Sequence, residues 1–193
     1  MTGRLALFAD CLLIGLCTAV AAIPVITAYP AFVAGCALLR DRIVDDAPVG
    51  FQRYLRRLGQ VLASGPAGIL GPPALCAVLA VDALAVAAGV PGRLPLGALL
   101  VLIGCGCTVL GLRTAARWRP GSRWAATLRS AAARSLADPG GSALLALAGA
   151  AAAAIAFAVP VTALLVCGFL ALAAVAVDLR CKPNPDPVPG MLG

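Results

Sequence analysis

The 193-residue chain contains no histidine and no glutamate, and its one lysine is Lys182. Without histidine, neither a Ser-His-Asp nor a Cys-His nucleophile can be assembled. No P-loop, G-x-S-x-G or H-E-x-x-H pattern is present. The eight cysteines form no C-x-x-C pair. Nearly all of them lie inside apolar runs, where cysteine behaves as a small hydrophobe. No metal site, cofactor or disulfide framework is therefore expected, and the chain reads as a non-enzyme. Intramembrane aspartyl chemistry needs only two acids, but no Gly-Asp motif or paired-aspartate pattern marks it.

Charge is scarce as well, at 12% of residues, and residues 11–39, 58–81, 94–112 and 139–177 carry none. Crossing a hydrocarbon layer about 30 Å thick takes roughly 20 apolar residues of helix. Two of these runs fit one crossing each, and the other two are long enough to fold back on themselves. In lipid the backbone must satisfy its own polar groups, which leaves helices or a closed barrel. Barrel strands alternate apolar and polar residues, and these runs do not. The expected fold is therefore all-α: a polytopic membrane helical bundle of about six transmembrane helices in three hairpins, with cytoplasmic amphipathic segments. The spans are placed near 5–23, 30–44, 60–88, 95–114, 140–158 and 161–178. Interfacial segments are placed at 51–59 and 116–137. Residues 1–180 form a single transmembrane domain, and 181–193 form a flexible proline-rich cytoplasmic tail. The second span is slightly short, and a re-entrant arm is its alternative.

Local signals mark the boundaries. Pro24 ends the first helix, and Pro30 stands where the second begins. Between them, Thr27 has the means either to hydrogen-bond backbone freed by the prolines or to cap the second helix. Asp138 precedes Pro139, the pairing of an N-cap with a proline in the first helical position. Phe51, Tyr54, Leu55, Leu58 and Leu62 share one helical face, opposite Gln52, Arg53, Arg56 and Arg57. That pattern predicts a helix lying on the anionic leaflet. Trp118 and Trp124, among Arg117, Arg119 and Arg123, read as a second interfacial signature.

The net charge of +7 comes almost entirely from arginine. Six spans put both arginine-rich stretches and both termini on one side, leaving Arg93 alone on the other. This asymmetry follows the positive-inside rule and explains the basic balance better than nucleic-acid binding does. It predicts a multi-pass protein of the bacterial cell (inner) membrane with both termini cytoplasmic. Three acids remain to be placed. Asp10 and Asp178 lie near cytoplasmic helix ends, where solvation at the headgroups is expected. Asp82 is deeper, and an intramembrane acid marks a partner, a cavity or an ion site. Pairing with Arg93 and cation binding are its two readings.

Pro24-Val25-Ile26-Thr27-Ala28-Tyr29-Pro30-Ala31, after an apolar N-terminal helix, resembles the Pro-apolar-apolar-Thr-x-x-Pro-Ala signature of the YesL-like family. Phe51-Gln52-Arg53-Tyr54-Leu55-Arg56-Arg57 is similar to that family's segment after its first hairpin. The similarity in layout covers about residues 1–180. The resemblance implies a bacterial integral membrane protein of a family many of whose members are encoded beside carbohydrate ABC importers. It implies no catalytic residues. The expected function is that of an accessory or partner protein, with the lipid bilayer, a sugar ABC importer and a second copy of the chain as possible partners. The alternative is a small oligomeric transporter or channel in which Asp82 lines a polar cavity.

Overall fold

The computed structural model describes residues 2–45, 47–89, 92–158 and 163–180. Among them are eight α-helices and no strand. The helices are α1 (Thr2–Ala21), α2 (Ala28–Asp45), α3 (Phe51–Ala63), α4 (Pro66–Ala87), α5 (Arg93–Arg117), α6 (Trp124–Ala137), α7 (Pro139–Ala158) and α8 (Ala163–Arg180). The connection expected between the spans 140–158 and 161–178, and the tail 181–193, lie outside the described residues.

Each boundary has a local cause. A 3-10 turn, Val25–Thr27, separates α1 from α2. There the Thr27 hydroxyl donates to the carbonyl of Ala21 at 2.6 Å and, as an alternative acceptor, to that of Pro24 at 2.8 Å. Of its two foreseen roles, Thr27 thus takes the satisfaction of freed backbone. Pro30 lies buried in the first turn of α2, where a missing N–H costs little. Gly65 sits at φ 121°, a conformation that favours glycine, and Pro66 then opens α4. Residues 60–63 therefore belong to the end of α3, not to the third apolar span. Asp138 caps α7: its Oδ1 accepts from the Gly141 N–H at 2.9 Å.

The core is built by α1, α2, α8 and the C-terminal part of α5. Cys11, Ile14, Val33, Leu38, Leu39, Leu112, Ala174 and Val175 are buried within it. Small residues bring these helices close. The α-carbon of Gly35 faces Ile14 and Thr18 of α1, and Gly168 of α8 lies against the α1 backbone at Cys11 and Gly15.

Two helices, α4 from Gly68 and α5, are on their own long and apolar enough to cross a membrane. The bent pair α6–α7, turned through 107°, makes a third such unit if counted as one. From Ile69 to Ala87 of α4 no residue is buried, and in α5 burial begins only at Val109. The α4–α5 hairpin therefore presents an apolar surface including Val78, Val81, Leu84, Leu99, Val101 and Leu102 to its surroundings.

The two amphipathic segments also make tertiary contacts. Helix α4 touches the Val25–Thr27 turn, and α3 packs against α2. Its buried side chains are Tyr54 and Val61, with the Tyr54 hydroxyl donating to the Ala31 carbonyl at 3.1 Å. Phe51 and Leu55, assigned to the same apolar face, are exposed. Trp118, read from the sequence as interfacial, is buried and stacks on Trp124, ring centroids 6.2 Å apart. The Trp124 indole N–H reaches the Ser64 hydroxyl at 2.8 Å, and its ring lies over Gly68. The tryptophans thus join α5, α6 and the α3–α4 junction.

Candidate functional site: a charged hub on α2 and the cleft beside it

Arg40, Asp41 and Arg42 are consecutive on α2, so successive side chains diverge by about 100° around the helix. Each reaches a different neighbour. Arg40 Nη2 donates to Asp178 Oδ2 of α8 at 3.2 Å, and its Nη1 donates to the Ala116 carbonyl of α5. Asp41 Oδ2 accepts from Arg57 Nη2 of α3 at 2.6 Å. Arg42 Nε donates to Asp10 Oδ2 of α1 at 2.7 Å. Less than one helical turn therefore ties α2 to four other helices.

Asp178 is the most enclosed acid of this network, only 6% exposed. Arg117 Nε approaches its other oxygen at 3.6 Å. The carboxylate thus lies between two guanidiniums from different helices. This corrects the expectation for both helix-end acids: Asp10 and Asp178 are held by arginines within the fold, not by solvent. Pairing offsets the desolvation that a carboxylate suffers on burial.

A second buried charge stands one turn before Arg117. Arg113 is 1% exposed. Its Nη2 donates to Asp138 Oδ2 at 3.0 Å, with the Asp138 carbonyl and the Ser142 hydroxyl each at 3.2 Å. Its Nε and Nη1 have no hydrogen-bond partner among the described residues. The same Asp138 that caps α7 thus also neutralises α5.

Two hollows lie beside the hub. The larger, about 420 Å³, is lined by Arg40, Arg117, Arg119, Ala126, Thr127, Ser130, Arg134 and Asp178. The smaller, about 270 Å³, is lined by Leu38, Asp41, Arg53, Arg56, Arg57 and Gln60. Of the interfacial arginines read from sequence, Arg117 and Arg119 meet in the first hollow and Arg53, Arg56 and Arg57 in the second. Arg123 stands apart, exposed at the start of α6. Both hollows are rich in guanidinium and suited to anions. Among the described residues no group of three His, Cys, Asp or Glu side chains is placed to hold a metal.

Asp82 and Arg93 belong to neither hollow. Both are exposed, and no ion pair joins them among the described residues. Asp82 stands on α4 amid the apolar surface of the hairpin. Pro24, Thr27 and Pro30 form the α1–α2 connection already described and line neither hollow. Sequence reasoning overlooked the hub because its partners are remote, up to 138 positions away. The one signal available was the Arg-Asp-Arg run itself, charges of alternating sign at the end of an apolar helix.

No family model, curated protein or solved structure matches the chain.

Proposed function

We propose that the chain is an integral membrane protein that acts as an accessory subunit, docking a second membrane protein through the α4–α5 hairpin. Asp82 carries this reading. It projects from a helix whose side chains are otherwise apolar and unburied from Ile69 onward. A carboxylate at the centre of a span costs about 2.5–3.5 kcal/mol on insertion scales, and one part-way to the end costs a share of that unless something polar covers it. Asp82 lies five residues before the end of α4, about 7.5 Å along the axis. The protomer offers it no partner among the described residues, so its cover comes from another chain. The similarity of residues 24–31 to the YesL-like signature makes a carbohydrate ABC importer the first partner to test.

In this reading α1, α2, α4, α5, α7 and α8 cross the bilayer as three hairpins of a bacterial inner-membrane protein. The arginine-rich α3 and α6 then lie on the cytoplasmic side. Alkaline phosphatase fused after residue 90 is expected to be active, and fusions after residues 121 and 180 inactive. Activity of the fusion after residue 121 would place an arginine-rich segment outside and end the topology.

The docking itself is tested by Asp82→Leu. The importer's membrane subunits are expected to co-purify with the wild-type chain in mild detergent. Their recovery is expected to fall about tenfold in the variant, the effect of losing one charge-assisted hydrogen bond. Recovery of the wild-type chain without them would sink the accessory role. The same exposed acid supports a second reading, a small oligomeric transporter in which another copy covers Asp82. There Asp82→Asn abolishes flux, and chemical cross-linking yields homo-oligomers.

A further inference from the structure

The larger hollow beside the hub brings four arginines around one carboxylate. That carboxylate is already engaged, since Asp178 lies between Arg40 and Arg117. Arg40 is further held by the Ala116 carbonyl, and Arg117 Nη1 donates to the Ser130 carbonyl at 3.1 Å. These contacts fix two guanidiniums in place without using all their donors, since each carries five N–H groups. Arg119 reaches in from the turn after α5, and its side chain has no partner among the described residues. Arg134 enters from the last turn of α6. The wall hydroxyls of Thr127 and Ser130 donate to backbone carbonyls of their own helix or its start, so the arginines supply the donors.

A hollow of about 420 Å³ with this excess of guanidinium suits an oxyanion. The planar fork of arginine matches phosphate geometry with paired N–H donors. We propose that the cleft between α5, α6 and α8 binds a phosphoryl group, supplied either by an anionic phospholipid headgroup or by free phosphate. Its location favours the lipid. Arg117 closes a helix of 25 residues, about 37 Å long, against a hydrocarbon layer of about 30 Å. The cleft at that helix end falls at headgroup depth. Only this choice of source rests on the membrane reading; the oxyanion chemistry stands on the arginines alone.

The test uses the full chain in neutral detergent. In one arm, native mass spectrometry counts phosphatidylglycerol and phosphatidylcholine retained per protomer. In the other, inorganic phosphate is titrated against chloride of equal ionic strength while the unfolding temperature is followed. The variants are Arg119→Gln, the double variant Arg119→Gln/Arg134→Gln, and Arg129→Gln. The last lies on α6, exposed and outside the cleft. Selective retention of phosphatidylglycerol is expected, lowered about tenfold for each cleft arginine removed and unchanged in Arg129→Gln. Arg119→Gln alone gives the readout should the double variant fail to fold. A phosphate-specific rise in unfolding temperature, lost in the same variants without lipid selectivity, identifies free phosphate as the source. The proposal is overturned if neither arm separates wild type from Arg119→Gln, or if Arg129→Gln loses as much. No importer enters these measurements, so failure of the docking reading leaves their outcome intact.

Discussion

Asp178→Ala is expected to destabilise the protein by about 3–5 kcal/mol, the cost of breaking a buried pair from one side. The loss has a definite origin. Arg40, with its side chain only 12% exposed, keeps its charge and loses the carboxylate that neutralises it. Arg117 loses the same partner but is nearer to solvent and retains the Ser130 carbonyl. At this chain length the effect corresponds to a fall in unfolding temperature on the order of 10 °C, read in detergent by the exposure of buried cysteines such as Cys36. The double variant Arg40→Leu/Asp178→Leu is expected to lie closer to wild type than Asp178→Ala. It removes both buried charges together, and apolar replacement of a buried ion pair is often neutral or stabilising. A single variant within about 1 kcal/mol of wild type would show that the pair is solvated and the hub inessential.

Gly168→Leu is expected to separate α1 from α8. A Cβ at this position would stand 2.6 Å from the Cys11 carbonyl oxygen and 3.3 Å from the Gly15 α-carbon. Both obstacles belong to backbone, so no rotamer change relieves them. The helices must move apart, at a cost of about 3 kcal/mol, the upper end of ordinary overpacking. Gly104→Leu is the matched control, because a Cβ there meets nothing within 4 Å. The two variants are compared by unfolding temperature in the detergent-solubilised protomer. Equal temperatures would mean that α1 and α8 do not pack through glycine. Phe8 and Phe169, whose rings lie 6.2 Å apart, flank the same contact and provide a fluorescence-independent check by cross-linking at substituted cysteines.

These two sites differ in how far they can be read without the fold. A glycine in an apolar helix signals close approach in general, and the chain has 21 glycines. Nothing local separates Gly168, pressed on backbone, from Gly104, open on one side. The acids follow the same logic. Asp10, Asp82 and Asp178 look alike as single charges beside or within apolar runs. Two are held by arginines in the fold, and one is left on an exposed face. Their burial depends on which helices adjoin, which is a property of packing. The tryptophans misled for a related reason: neighbouring arginines made Trp118 and Trp124 resemble an interfacial belt. Their stacking across the α5–α6 connection instead turns Trp118 inward.

Alone, the amino-acid order determined that the chain is helical and where several helices must begin and end. Those features are local: uninterrupted apolar runs without alternation, Thr27 answering the carbonyls freed around Pro24, and Asp138 capping a helix opened by Pro139. They are settled by atoms a few positions apart, so the sequence displays them directly. Tertiary structure alone decided that Arg40, Asp41 and Arg42 join four helices, that Asp82 is left exposed with no partner among the described residues, and that Arg117, Arg119 and Arg134 face one hollow. The reason is electrostatic. The energy of a charge depends on what surrounds it in space, and here the decisive neighbours are supplied by helices remote in the chain.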